Sequence, residues 1–225
     1  MKKFIHDCSS QKFFDSFNNF INSDDRKIFN KLASKIHFVY KTKEIPGNII
    51  ELGVFKGSGM FAWLKTLNFF SIKNKKVLGF DLFDEKTLVK SIRTSDKQLM
   101  RKLFSQRNFK IKNYEKILIK MLNINNFSNY EIIKGNVSTT VKKYLKKNIG
   151  FRVSLVNFDL DLFQPTYDCL KLLWPRLTKG GIFLFDEYAI NEWSESDAVD
   201  KFIKENNLEI INTNLSSPTA YIIKN

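Results

Sequence analysis

An α/β fold built on a mostly parallel, seven-stranded sheet follows from three features of this 225-residue sequence. Short apolar runs alternate with amphipathic stretches, the pattern of a parallel sheet with helices on both faces. A glycine-rich turn joins the first of these runs to the helix that follows it. The last two apolar runs have no helix between them, so they form an antiparallel hairpin at one edge.

Ahead of the sheet, residues from about Ser10 to Tyr40 read as helical. Phe13, Phe14, Phe17, Phe20 and Ile21 recur at helical spacing. Ser23-Asp24-Asp25 then supplies a cap before Ile28, Leu32 and Ile36. Pro46-Gly47 punctuates the chain and sets an N-terminal helical segment, residues 1–45, apart from an α/β domain, residues 46–225. The segment reads as a lid or a subunit contact.

The alternation begins at Asn48–Val54, a buried-strand run, followed by a helix over Gly57–Phe70 and a second strand over Lys76–Asp81. Residues from about 85 to 127 are basic and helical in pattern, too long for a simple connection, and read as a helical insertion. Tyr130–Asn136 is the third strand, with a helix from Thr139. Val153–Asp159 is the fourth, followed by a helix over Pro165–Leu177 with proline near its first turn. Gly180-Gly181 is expected to end that helix and open the strand Ile182–Glu187. A helix near Glu195–Glu205 and the runs Leu208–Asn214 and Thr219–Asn225 complete the chain.

Composition narrows the setting. No apolar run reaches the roughly 18–20 residues that span a bilayer. The early charges of Met1-Lys2-Lys3-Phe4-Ile5-His6-Asp7 leave no signal-peptide core. Cys8 and Cys169 lie far apart with no metal-ligand spacing, which fits reduced thiols in a cytoplasmic protein. The net charge of +14 comes from lysine scattered along the whole chain, the mark of a solvated surface. It also suits an anionic small molecule, such as a nucleotide-linked sugar.

The first strand runs into Glu51-Leu52-Gly53-Val54-Phe55-Lys56-Gly57-Ser58-Gly59. Glycines there let the backbone turn tightly against a ligand, and the next helix offers its N-terminal amides. Their GxxxGxG spacing departs from the GxGxxG of dinucleotide sites. Glu51 would repel a pyrophosphate but accept hydrogen bonds from the methionyl ammonium of S-adenosylmethionine (SAM). Asp81, ending the second strand, is placed to accept ribose hydroxyls. Lys134-Gly135-Asn136-Val137 ends the third and approaches an adenine edge, or is an ordinary strand-end turn.

The fourth strand ends Asp159-Leu160-Asp161 and the fifth Asp186-Glu187. Acids following apolar runs are costly if buried without a partner. Four at neighbouring strand tips are expected to hold a hard divalent cation such as Mg2+, with Asp159, Asp186 and Glu187 as ligand candidates. Period-two spacing would put Asp161 on the side of Asp159 if the strand continues, within reach of the metal as a general base. His6 and His37 precede the sheet, and His37 reads as packing or surface. Trp174 reads as packing.

The stretches ELGVFKGSG, LGFDLFD, KGNV, FDLDLFQPTYDCLKLLWPRL and GGIFLFDEY together resemble the macrocin O-methyltransferase (TylF-like) family, from about Gly47 to Asp200. The resemblance implies a Rossmann-like class I SAM-dependent methyltransferase fold and metal-dependent sugar O-methylation. It implies that Glu51, Gly53, Val54, Ser58, Asp81, Gly135, Asn136 and Asp159 line the SAM site. Asp159, Asp186 and Glu187 would hold Mg2+, and Asp161 would be the base. Family members often carry Asp-Asp or Glu-Asp where this chain has Asp186-Glu187, a change that keeps the charge. The chain looks shorter at its N terminus and lid than family members that act on macrolides. The expected acceptor is therefore a nucleotide-linked 6-deoxyhexose, methylated at its 3-hydroxyl, with no nucleic acid or membrane partner and with homo-oligomers open. A catechol or other small-molecule O-methyltransferase is the alternative enzyme. A nucleic-acid-binding module on the Lys86–Lys120 segment is a remote one, because nothing there pairs its basic residues with the aromatic stacking pattern of an RNA module.

Overall fold

A computed structural model describes residues 11–84, 96–97 and 113–225 of the chain. The helices described are α1 (Gln11–Ile21), α2 (Arg26–Thr42), α3 (Ser58–Phe69), α4 (Tyr114–Ile124), α5 (Val137–Lys147), α6 (Phe163–Leu173) and α7 (Glu195–Asn206). The strands are β1 (Asn48–Leu52), β2 (Val77–Asp81), β3 (Tyr130–Lys134), β4 (Val153–Phe158), β5 (Leu177–Phe185), β6 (Ile211–Asn212) and β7 (Ala220–Ile223). Most of the basic stretch from 85 to 127 lies outside the described residues, and α4 forms its end.

The seven strands form one sheet in the order β3-β2-β1-β4-β5-β7-β6. Strands β1 to β5 run parallel, and β7 pairs antiparallel with both β5 and β6. The order reverses between β1 and β4, and the crevice at their carboxyl ends is where such sheets take ligands. Among the described residues no helix is long and apolar enough to cross a membrane.

Helices cover both faces, which is why the central strands read as mostly apolar runs. On one face Ile50, Leu52, Val156 and Phe158 pack with Val141 of α5, Leu170 of α6 and Phe202 of α7. On the other, Ile49, Leu155 and Leu184 pack with Trp63 and Leu64 of α3, Leu118 of α4, and Phe38 and Val39 of α2. Alternate residues of one strand thus enter opposite cores. Helix α2 starts at an Asp25 cap, whose Oδ1 accepts from the Ile28 amide at 3.0 Å. Trp174 packs edge-on against Phe183 and Phe202. Cys169 is a buried free thiol.

Two expectations need correction. Gly180-Gly181 does not end the helix before β5. Helix α6 stops at Leu173, and Trp174–Arg176 forms a single 3-10 turn around Pro175. Proline has no amide hydrogen and crowds the preceding turn, so the helix closes there. Both glycines lie inside β5, where the Gly180 amide donates to the Lys224 carbonyl at 2.6 Å. The second correction concerns Asp161. Strand β4 ends at Phe158, and Asp161 has a left-handed backbone at φ +63°, so period-two alternation does not set its direction.

Candidate active site

Three strand tips converge at the reversal point. β1 leaves the sheet through Gly53, where φ is +88° and a side chain would strike the Asp159 carbonyl. The Gly53 amide donates to the Phe80 carbonyl at 3.0 Å, and the Asp159 amide to the Leu52 carbonyl at 2.9 Å. The turn between β1 and α3 is therefore pressed against the tip of β4. Asp81 fastens it from the other side. Its Oδ2 accepts from the amides of Val54 and Phe55 at 2.8 and 2.7 Å, and its Oδ1 from Phe83 at 2.7 Å.

Beneath this turn Glu51 is buried, 3% exposed, on the α2–α3 side of the sheet. Its carboxylate accepts from the Trp63 indole N–H. The ammonium of Lys35, from α2, sits 4.6 Å from the centre of the Trp63 ring. Burial raises the Glu51 pKa above the usual carboxylate value, while Lys35 and the Trp63 hydrogen bond oppose the rise. Opposite Glu51 in the β1–β4 register lies Asn157, 1% exposed, whose amide oxygen and nitrogen both lack hydrogen-bond partners. A buried amide without partners is costly, so this one is suited to a polar ligand.

The acids gather one strand further on. Parallel pairing of Phe158 with Phe185 sets Asp159 beside Asp186. Helix α2 crosses above them and supplies counter-charge. The Lys31 ammonium lies 2.5 Å from Asp186 Oδ2 and 3.5 Å from Asp159 Oδ2, and the Lys27 ammonium donates to Glu187 Oε1 at 2.7 Å. Asp186, 1% exposed, also accepts from the Ser217 hydroxyl at 2.7 Å. Glu195, fully buried at the start of α7, accepts from the Glu187 amide at 3.3 Å with one oxygen. Its other oxygen has no hydrogen-bond partner.

Five carboxylates thus share this mouth with two ammonium groups, and the electrostatics follow. Burial, reinforced by Asp186, pushes the Asp159 pKa well above the usual range. Burial and the charges of Glu187 and Asp186 push Asp161 up to about 7. Burial, then Asp161 and Asp186, raise Glu195. Partial burial alone would lower Lys31, but Asp159 and Asp186 hold it above its ordinary value. Excess negative charge and an all-oxygen donor set suit a hard divalent cation. Among the described residues, however, no set of three His, Cys, Asp or Glu side chains stands ready to hold a metal ion. It is Lys31 that bridges Asp159 and Asp186.

Residues 25–221 match the family model of the macrocin O-methyltransferases (TylF). The chain belongs to the TylF family. Its fold is that of the class I methyltransferases, and the family is one of O-methyltransferases. A 40-residue stretch is 42% identical to the 8-demethyl-8-(2,3-dimethoxy-alpha-L-rhamnosyl)-tetracenomycin-C 4'-O-methyltransferase of Streptomyces olivaceus. That stretch is 18% of this chain and spans only 15% of that protein. Two solved structures have the same fold. The calicheamicin methyltransferase CalS11 matches with a TM-score of 0.72 at 22% identity, covering 98% of this chain and 95% of that one. The O-methyltransferase NovP matches with a TM-score of 0.69 at 18% identity, over 88% and 79% of the two chains.

In this TylF-family enzyme the residues singled out from sequence divide into three sets. Gly53, Val54, Asp81 and Gly135 meet at the β1–β2–β3 tips, the Gly135 amide donating to the Asp81 carbonyl at 2.9 Å. Ser58 is exposed in the first turn of α3. Asn136 is also exposed, and its side chain caps α5 by accepting from the Ser138 amide at 3.0 Å. Asp159, Asp161, Asp186 and Glu187 form the acidic mouth. His37 is exposed on α2, edge-on to Phe38. Sequence reasoning missed Lys27, Lys31, Lys35, Asn157 and Glu195. The lysines had a signal, an i, i+4, i+8 spacing that puts all three on one helix face. Glu195 reads as an ordinary acid in a helix's first turn, and nothing local marks its burial.

Proposed function

We propose that this TylF-family enzyme methylates a sugar hydroxyl, using Mg2+ held by Asp159, Asp186 and Glu187 with Asp161 as general base. The observation that carries the reading is the acidic mouth itself, four strand-tip carboxylates beside the Gly53 turn. The acceptor is a nucleotide-linked 6-deoxyhexose, methylated at its 3-hydroxyl, and the setting is cytoplasmic. The names of the relatives support a sugar. The Streptomyces protein is named for a rhamnosyl substrate, and CalS11 is described as a TDP-rhamnose 3'-O-methyltransferase. The +14 net charge favours an anionic, nucleotide-linked form.

On this reading Glu51, with the unpartnered Asn157 amide nearby, receives the methionyl end of SAM. The Gly53–Ser58 turn carries its backbone past the cofactor, Asp81 takes the ribose hydroxyls, and Gly135 and Asn136 border the adenine. The sulfonium supplies an already activated methyl group, so orientation of the acceptor hydroxyl is the main task of the protein. Its oxygen forms the new O–CH3 bond as the S–CH3 bond breaks, and the hydroxyl proton passes to Asp161. A divalent cation at the acidic tips would make that proton easier to remove. It would also take over the counter-charge that Lys31 supplies here, so cation binding and the position of α2 are linked. Residues 1–45 then act as a lid over the mouth.

Calorimetric titration of S-adenosylhomocysteine is expected to give one-to-one binding that Asp81→Ala weakens by about tenfold or more, the loss of one to two hydrogen bonds to a charged group. Heat that is unchanged by Asp81→Ala would argue against the assigned cofactor site. For the acceptor, methyl transfer from labelled SAM to dTDP-linked 6-deoxyhexoses should exceed transfer to catechols and depend on Mg2+. Good transfer to small phenols with none to nucleotide sugars would overturn the sugar assignment.

A further inference from the structure

Glu51, Asn157 and Lys35 are all buried beneath the Gly53 turn, on the side of the sheet that α2 and α3 cover. Glu51 and Asn157 are register neighbours on β1 and β4. Leu155 enters the α2–α3 core, so Asn157, two residues on, faces the same way. Lys35 comes from α2 and is 6% exposed. One indole serves both charges. The Trp63 N–H donates to Glu51, and the Lys35 ammonium lies over the face of the same ring, 4.6 Å from its centre.

Among the described residues, both polar atoms of the Asn157 amide lack hydrogen-bond partners. The Lys35 ammonium likewise meets no hydrogen-bond acceptor there and forms no ion pair, so its charge acts on Glu51 without touching it. A lysine serving only to neutralise Glu51 would close onto it, because a buried pair offsets its desolvation only in good contact. An ammonium and an amide left open side by side in the interior point to a ligand that brings acceptors of its own. That ligand also brings a cation for Glu51. Opposite charges held apart, with an amide that can both donate and accept, complement an amino-acid zwitterion. A phosphate would meet the like charge of Glu51, and a metal ion that of Lys35.

We infer that, within the donor site proposed above and resting on that reading, Lys35 donates to the methionyl carboxylate of SAM while Glu51 takes the ammonium. No strand tip supplies this residue. Helix α2 then serves both reactants, with Lys35 on the donor and Lys31, one turn earlier, over Asp159 and Asp186.

Calorimetric titration with three ligands tests this. S-adenosylhomocysteine carries the whole amino-acid end, its decarboxylated form lacks only the carboxylate, and methylthioadenosine lacks the end altogether. The wild type should prefer S-adenosylhomocysteine to the decarboxylated form by about ten- to a hundredfold, the worth of one hydrogen bond between charged groups. In Lys35→Met this preference should largely disappear while methylthioadenosine binds as in the wild type, a split that a general loss of packing would not produce. Lys35→Arg keeps the charge and should keep most of the preference. A wild type that binds the two amino-acid ligands equally overturns the role of Lys35, as does an undiminished preference in Lys35→Met. If Lys35→Met loses methylthioadenosine as well, Lys35→Arg decides, and a preference lost there with methylthioadenosine retained also overturns it. A folded wild type that binds none of the three overturns the donor site itself, and the role of Lys35 with it.

Discussion

Replacing Asp161 by Asn is expected to lower kcat for methyl transfer by about a hundred- to ten-thousand-fold, with S-adenosylhomocysteine affinity almost unchanged. The amide has nearly the shape of the carboxylate but cannot take a proton, so the loss falls on the chemical step. The pH profile makes the role specific. Burial and the neighbouring charges of Glu187 and Asp186 push Asp161 up to about 7 by disfavouring its ionised form. A base must be ionised to act, so kcat/KM of the wild type should rise with pH through about 7 and level off above it. A cation at the acidic tips would favour the carboxylate and shift this limb to lower pH. The Asn variant should lack the limb.

The same shift has a stability consequence of opposite sign. Between the ordinary carboxylate value and about 7 the native state holds a proton that the unfolded chain has released. Stability therefore falls as pH rises through that window, and thermal unfolding followed from pH 4 to 7 reads it. An Asp161→Asn enzyme with near-normal kcat would remove Asp161 from the proton transfer.

The second large effect is on folding. Gly53→Ala should lower stability by about 2–4 kcal/mol, combining left-handed backbone strain with overpacking against fixed backbone. The new methyl would strike the Asp159 carbonyl, which cannot move freely because the Asp159 amide is bonded to Leu52. A shift of roughly 4–16 °C in Tm corresponds to that loss in a domain of this size. Whatever folded protein remains should bind S-adenosylhomocysteine poorly, since relief of the clash must separate the β1 turn from the β4 tip. Gly150→Ala is the control. A Cβ there meets nothing within 4 Å, and Tm should hardly change. Equal behaviour of the two variants would mean that the close approach at Gly53 is not a constraint.

The sheet was legible in the sequence because β1, β2 and β4 are buried on both faces, which makes their residues mostly apolar without a period-two alternation. Gly53, Asp81, Asp159 and Asp186 were legible because each is a glycine or an acid at the end of such a run, where residue type and position both carry meaning. Asp161 entered the reading through an alternation that its left-handed backbone does not follow. The end of α6 was misplaced because a glycine pair is a strong stop signal, whereas the stop came earlier at Pro175. Lys31 and Glu195 stayed hidden for a different reason. Lys31 lies 128 residues from Asp159 in the chain, and contact over that distance is created by tertiary packing alone.

The Ser217 hydroxyl that donates to Asp186 comes from the loop between β6 and β7, near the end of the chain. Synthesis from the N terminus therefore delivers the lysines of α2 first and the acids of β4 and β5 later. The group that donates to Asp186, and the strand β7 that flanks β5, emerge after both. A nascent chain stalled short of Ser217 holds all five parallel strands but lacks the hydroxyl that donates to Asp186. A product clipped ahead of Ser217 would keep most of the core while losing a hold on one of the central carboxylates of the mouth.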